Sequence, residues 1–335
     1  MATTIINSTI VDAATMLLNN NTMLGGINPY GPPLHKLDAI LPMQTIYHYV
    51  DTLVSLLLST NDMNIWLQYL IITAGAAIGA LVLFMLVGPL SYWYFFVLKK
   101  DKYYPEGDPQ PFPGQVALEI KMSLKAFPFL SLLTAPFFVL ELRGYSRSYW
   151  NFSAENPFSW SSLALMIFVF IMFTDMGIYW VHRWEHTFPW IYQYIHKPHH
   201  KWIVPTPFAS FAFHPLDGWA QSLPYHFLVF MFPMQVGVYL GLFVFVQLWT
   251  VSIHDGVDWC GEKTGSLRSY FLNGSLHHYI HHSKFLYNYG QYFTIWDRLM
   301  GSHLSWRELK EKQERLRRGD ANRQKKKEME ATAAQ

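Results

Sequence analysis

Charge is what this chain has least of. Only 14% of its 335 residues are Asp, Glu, Lys or Arg, where soluble globular proteins average about 25%. With 51% hydrophobic and 17% aromatic residues, that shortage excludes disorder over most of the length and predicts a protein solvated largely by lipid. Cysteine is nearly absent too. Cys260 is the only one, which excludes an internal disulfide and any cysteine-based zinc site. The net charge of +2 is too small for a nucleic-acid binder unless the charge is segregated, and it is: the last 30 residues hold a run of Arg and Lys. The first 24 residues lack a basic stretch followed by an apolar one, so no cleavable signal is expected.

What is present is long apolar runs. No charge falls among the 36 residues between Asp62 and Lys99, and Ile65 to Val87 is long enough to cross a ~30 Å hydrocarbon layer once. Tyr92, Trp93 and Tyr94 follow as an interfacial aromatic belt. Ala126 to Leu140 is a shorter candidate interrupted by Pro128 and Pro136. Trp160 to Val181 is a third, carrying Asp175 near its end. The uncharged stretch from Gly218 to His254 has 37 residues, too many for one crossing. A hairpin that returns to its own side fits best, because His-rich segments flank it. The expected fold is all-α: about three spanning helices, a shallow hairpin and a cytosolic His-rich helical cap. Its parts are a lumenal segment 1–63, with an interfacial helix over 39–60, a transmembrane region 64–158, a His-rich domain 159–305 and a charged cytosolic tail 306–335.

Sidedness follows from basic residues. Alternating crossings place 22 of the 25 Lys and Arg on the side that holds residues 98–125, 182–221 and 254–335. Cytosolic loops carry that excess, so the His clusters are predicted to be cytosolic. The glycosylation sequons at Asn7, Asn20 and Asn151 then fall on the lumenal side, and the one at Asn273 would be cytosolic and unused.

Histidine is the outlier, with 15 copies. Residues 182–200 hold five in 19 positions: His182, His186, His196, His199 and His200. A second group, His277, His278, His281 and His282, comes much later. Spacings of three and four put imidazoles on one helix face about 5–6 Å apart, so each group offers two or three ligands in one direction. Eight (His182, His186, His196, His199, His200, His278, His281 and His282) exceed what one ion takes, and two ions account for the number; imidazole suits Fe, Zn and Cu alike. Clustered imidazoles without a metal would repel once protonated.

His254, before Asp255, is a candidate ninth ligand with that carboxylate orienting its ring. His214 and Asp217 are candidates for the surroundings of the site, and His226, inside the hairpin, for contact with substrate. His277 reads as scaffold; His35, His48 and His303 read as surface. Asp175 and Glu185 lie near the clusters, but the four Glu of a soluble di-iron bundle are missing. Trp184, Tyr279 and the run Tyr287-Asn288-Tyr289-Gly290 read as packing.

The order His-x-x-x-His, His-x-x-His-His, His-x-x-His-His resembles the fatty acid hydroxylase superfamily of membrane di-iron enzymes. Three longer runs resemble the sterol C5-desaturases within it: His196-KPHHKWIVPTPFASFAFHPLDGWAQSLPYH-226, Trp249-TVSIHDG-256 and Asn273-GSLHHYIHHSKFLYNYGQYFTIWDRLMGS-302. Phe211 stands where members often carry His, and Glu185 where the first box is usually apolar. The resemblance implies O2-dependent insertion of a C5–C6 double bond into a Δ7-sterol, in the endoplasmic reticulum membrane. It also implies two irons per chain on the box histidines and electrons from cytochrome b5 and its NADH-dependent reductase. A sterol C4-methyl oxidase or another lipid hydroxylase would use the same boxes. A metal transporter would place its ligands near the bilayer midplane, whereas these clusters follow the ends of spans.

Overall fold

The computed structural model describes residues 63–104, 109–150 and 152–333. The interfacial helix expected over 39–60, His35, His48 and the sequons at Asn7, Asn20 and Asn151 lie outside them. The described residues are mostly helical, with only two isolated β-bridges.

Among the described residues, four helices are long and apolar enough to cross a membrane. The first, α1 (Ile65–Tyr92), is capped by the Asn64 side chain on the Trp66 amide and runs on through a π-turn to Leu98. The second, α2 (Gln115–Leu142), outgrows the short segment expected there and continues through Pro128 and Pro136. Proline removes the hydrogen bond to the carbonyl four residues back. Behind Pro136 that carbonyl is Leu132, and it accepts the Tyr69 hydroxyl at 3.0 Å; the next one, Leu133, accepts the Trp219 indole at 3.1 Å. Neighbouring helices thus repair the break, which is how membrane helices tolerate proline.

The third span, α3 (Trp160–Thr187), starts on a Ser159/Ser162 capping box. The Gly218–His254 stretch forms the two arms of the expected hairpin, α4 (Pro215–Met231) and α5 (Val236–His254). The second arm is itself long enough to span. Helices α3 and α4 meet at Gly177, where a Cβ would lie 2.6 Å from the Pro224 ring. Phe170, Ile178, Leu228, Val229 and Val246 form the core between α3, α4 and α5, and Phe84, Phe127, Phe208 and Phe211 tie α1 to α2.

After α5 the chain turns at Gly256 (φ +72°) and builds a cap from α6 (Leu267–Phe271), α7 (Ser275–Lys284) and α8 (Ile295–Leu299). The charged tail forms α9 (Trp306–Ala333). Asn273 is fully buried and its amide donates to the Gly290 and Gln291 carbonyls, so this fold has no room for a glycan there.

Candidate metal centre

Each histidine of the candidate centre sits at the end of a helix or in a tight turn beside one. His182 and His186 occupy the last turns of α3, His254 the last residue of α5, and His278, His281 and His282 one face of α7. His196, His199 and His200 lie on short π- and 3₁₀-turns between α3 and α4. The last turns of α3 and α5, the turns that follow α3 and one face of α7 converge here.

The nine imidazoles separate into two groups. His182, His186, His196, His200 and His281 form one; His199, His254, His278 and His282 form the other. Within each group the candidate ligand atoms lie within 4.8 Å of one another. The Nε2 atoms of the first group meet at 3.2 Å (His182–His196), 2.9 Å (His196–His200), 3.0 Å (His186–His200) and 3.1 Å (His200–His281). In the second group the separations are 3.5 Å (His199–His254), 3.0 Å (His254–His278) and 3.1 Å (His278–His282).

The other ring nitrogens decide what those contacts are. The Nδ1 atom of His182 donates to the Tyr289 carbonyl at 3.0 Å, that of His281 to Tyr287 at 2.7 Å, and that of His254 to Thr250 at 2.7 Å. His196 Nδ1 donates to the Asp217 carboxylate at 3.0 Å, with Glu185 at 3.6 Å on the same side. A ring that donates through Nδ1 presents a bare lone pair at Nε2. Lone pairs facing each other at 3 Å repel unless a cation lies between them. Two nitrogens about 2.1 Å from one ion and at right angles around it are about 3.0 Å apart. The donor set therefore fits a divalent ion in each group.

Protonation agrees with that fit. Burial pushes His196 down to about 3 from its ordinary 6.5. Burial first, then neighbouring imidazoles, hold His199, His200, His278, His281 and His282 well below 6.5. The rings are neutral at pH 7, the state in which imidazole binds metal.

Not every expected neighbour is where the sequence suggested. Asp217 serves His196 and is itself held by the Gln221 amide at 2.6 Å. Asp255 does not orient His254. Its carboxylate accepts the Val257 amide, while the His254 ring folds back along α5 to Thr250. His214 caps α4, accepting the Leu216 amide at 3.2 Å. His226 is fully buried with no protein partner at either nitrogen, stacked on Phe137 at 4.8 Å. His277 bonds Asn273, and the half-buried His303 ring lies 5.5 Å from it, which moves His303 off the open surface.

Sequence reasoning gave the Tyr287–Gly290 run no role, yet its carbonyls hold His281 and His182. Two carboxylates fix the run. Asp297 accepts the Tyr289 and Gly290 amides, both at 2.9 Å, and the Ser302 hydroxyl at 2.8 Å. Asp175 accepts the Tyr292 amide at 2.6 Å. Asn288 takes a positive φ of 63° and ties the run to Leu304 through three buried hydrogen bonds with His277 and Leu304. The only signal in the sequence was acids set in otherwise apolar, aromatic stretches.

Below the histidines a cavity of about 380 Å³ runs between the spans, within the range of small-molecule sites. Its inner end touches both groups through His182, His199, His254 and His278, and its walls include Phe138, Phe211 and Phe243. Along α5 it extends from Leu240 to His254, about 21 Å at 1.5 Å per residue.

Comparison with known proteins places this arrangement. The family described as Fatty acid hydroxylase matches residues 167–302. A Δ7-sterol 5(6)-desaturase of Aspergillus fumigatus is 52% identical over 211 residues, 63% of this chain and 60% of that protein. Rat lathosterol oxidase is 47% identical over 225 residues, covering 67% of this chain and 72% of the relative. A probable Δ7-sterol 5(6)-desaturase of Neurospora crassa is 42% identical over 271 residues, 81% of this chain and 72% of the relative. The chain thus spans about 60–72% of the length of these relatives. No solved structure matches. With nine histidines gathered where the spans meet the cap and identities of this size over most of each relative, the chain belongs to the fatty acid hydroxylase family, in the branch of the Δ7-sterol 5(6)-desaturases and lathosterol oxidases.

Proposed function

We propose that this oxidoreductase removes two hydrogens from C5–C6 of a Δ7-sterol, with O2 as oxidant and two irons held by the five-histidine and four-histidine groups. The observation that carries the reading is the apolar cavity between spanning helices, whose inner end is lined by histidines of both groups. A flat apolar sterol can enter such a cavity from the bilayer without crossing water. The overall reaction balances with two electrons and two protons from outside: sterol and O2 give the Δ5,7-sterol and two waters.

Bound iron would supply the oxidising power that unactivated ring C–H bonds require. The chain's own residues supply the rest. His182, His186, His196, His200 and His281 would hold one iron, and His199, His254, His278 and His282 the other. Asp217 and the Tyr287, Tyr289 and Thr250 carbonyls fix ring tautomers, so each Nε2 stays a donor of electrons and not of protons. Phe138, Phe211 and Phe243 exclude water from the reacting carbons, and His226 lines the cavity away from the metals, where it contacts the sterol. We place the centre on the cytosolic face of the endoplasmic reticulum membrane, with cytochrome b5 and its NADH-dependent reductase as the electron source. The excess of Lys and Arg on the side of the histidines supports an acidic donor.

The test is expression in membranes of a host lacking a sterol C5-desaturase, with sterols read by mass spectrometry. Δ5,7-sterols should appear, and should vanish with His199→Ala. Unchanged Δ7-sterols in the presence of inserted, iron-loaded protein would refute the substrate assignment.

A further inference from the structure

The cavity is apolar except for a few side chains, and most of those have already spent their hydrogen bonds. The Ser210 hydroxyl donates to the Pro207 carbonyl at 2.6 Å, Ser222 to Trp219 at 2.7 Å and Thr134 to Leu130 at 3.0 Å. Two cavity amides donate through Nε2 and keep Oε1 without a protein partner: Gln221, bonded to Asp217 at 2.6 Å, and Gln291. Gln291 is the one tied to the ring supports of both histidine groups. Its Nε2 donates to the Thr250 hydroxyl at 3.0 Å, and that hydroxyl in turn donates to the Val246 carbonyl at 2.9 Å. This chain of donors sets the amide's orientation and leaves Gln291 Oε1 as an acceptor with no protein partner, on the cavity wall.

The place of this acceptor is the informative part. Gln291 lies two residues from Tyr289, whose carbonyl holds His182, and it is bonded to Thr250, whose carbonyl holds His254. It therefore sits at the metal end of the cavity, beside the carbonyls that support one ring of each histidine group. In a 3β-hydroxysterol the oxygen is only three bonds from C5. A sterol placed for reaction at C5–C6 must then carry its hydroxyl close to the metals and send its alkyl tail down the remaining length, toward Phe243 and His226. His226 is nine residues beyond Asp217 on α4, about 13 Å along the helix, too far to meet that hydroxyl. Gln247 also lines the cavity, but three residues before Thr250 on α5, about one turn farther from His254.

We infer that Gln291, oriented by Thr250, accepts the hydrogen bond of the sterol 3β-hydroxyl and so sets which ring carbons lie under the metals. The inference rests on the sterol-desaturase reading and adds to it the direction in which substrate enters: hydroxyl inward, tail outward. A site that bonds a substrate hydroxyl discriminates against the analogue lacking it, because its own acceptor is left buried and unpaired.

The experiment compares purified full-length enzyme in nanodiscs, with its electron donor, on a Δ7-sterol and on the 3-deoxy analogue. The wild type should favour the hydroxylated sterol by about tenfold in kcat/KM, or about 1.4 kcal/mol. Gln291→Leu should bring that ratio close to one, Thr250→Val should lower it part of the way, and Gln247→Leu should retain it. The ratio is the readout because a merely structural defect lowers both substrates together. An unchanged ratio in Gln291→Leu, or a collapse in Gln247→Leu in its place, overturns the inference. If Gln291→Leu does not fold, Thr250→Val decides by the same criterion. No Δ5,7 product from the wild type with the hydroxylated sterol would sink the desaturase reading, and this inference with it.

Discussion

Replacing Asp297 by Asn changes one atom of a side chain that touches none of the nine histidines, yet it should weaken metal binding by one group and spare the other. The Asp297 carboxylate accepts three donors, the Tyr289 and Gly290 amides and the Ser302 hydroxyl. Burial raises it to about 6, so at pH 7 it remains mostly ionised and accepts at both oxygens. Asparagine has one acceptor and one donor group. The two backbone amides cannot turn away, so whichever way the new amide sits, one N–H faces another N–H. The loss is a charge-assisted hydrogen bond plus a buried unsatisfied donor, about 2–4 kcal/mol. The loop that shifts carries the Tyr289 and Tyr287 carbonyls on which His182 and His281 rest, both in the five-histidine group. Loss of such support costs about 10–100-fold in metal affinity. The assay is iron per chain by elemental analysis during a chelator titration, alongside thermal unfolding of the metal-free protein. Asp297→Asn should unfold at a lower temperature and lose about half its iron at a chelator concentration that leaves the wild type loaded. A variant that is destabilised but resists the chelator as the wild type does would refute the link between the loop and the histidine rings.

Further outcomes follow from other parts of the structure. His281→Ala and His199→Ala each remove a ring from a different group and should each abolish desaturation while membrane insertion, read by carbonate extraction, is retained; a fully active His281→Ala variant would sink the two-metal arrangement. Because the box imidazoles outside the spans have folded pKa values below 6.5, the unfolded chain binds more protons than the folded one in acid. The melting temperature of metal-free protein should therefore stay level from pH 8 to 7 and fall from about 6.5 toward 3, the value to which burial brings His196; a flat profile down to pH 5 would contradict the buried neutral state. A Cβ at Gly177 would meet the Pro224 ring at 2.6 Å, so Gly177→Ala should cost about 1–3 kcal/mol by overpacking, checked by detergent-solubilised thermal unfolding. Gly79 lines the cavity and has open space for a Cβ; Gly79→Leu should insert normally but raise KM for sterol several-fold, and an unchanged KM would show that substrate does not occupy that wall.

The sequence alone determined the parts of this protein that depend on local pattern. Scarce charge and long apolar runs made it a membrane protein, and His spacings of three and four made helix faces of ligands, because periodicity is written residue by residue. His254 was legible as a ninth member of the histidine cluster since it closes an apolar run beside the others. Three things needed the tertiary structure. Proline looked like a limit on α2 until the Tyr69 hydroxyl, 63 residues away, was seen to satisfy the carbonyl that Pro136 frees. Which histidines share a group depends on His182 meeting His281 across about a hundred residues, a contact no spacing encodes. The supports of the rings were unreadable for the same reason: Tyr287, Tyr289 and Thr250 act through backbone carbonyls, which every residue has, so side-chain identity carries no trace of the role. Asp255, the nearer carboxylate to His254, was the natural guess from sequence. The helix end decided otherwise, turning the ring back to Thr250 and the carboxylate to its own loop.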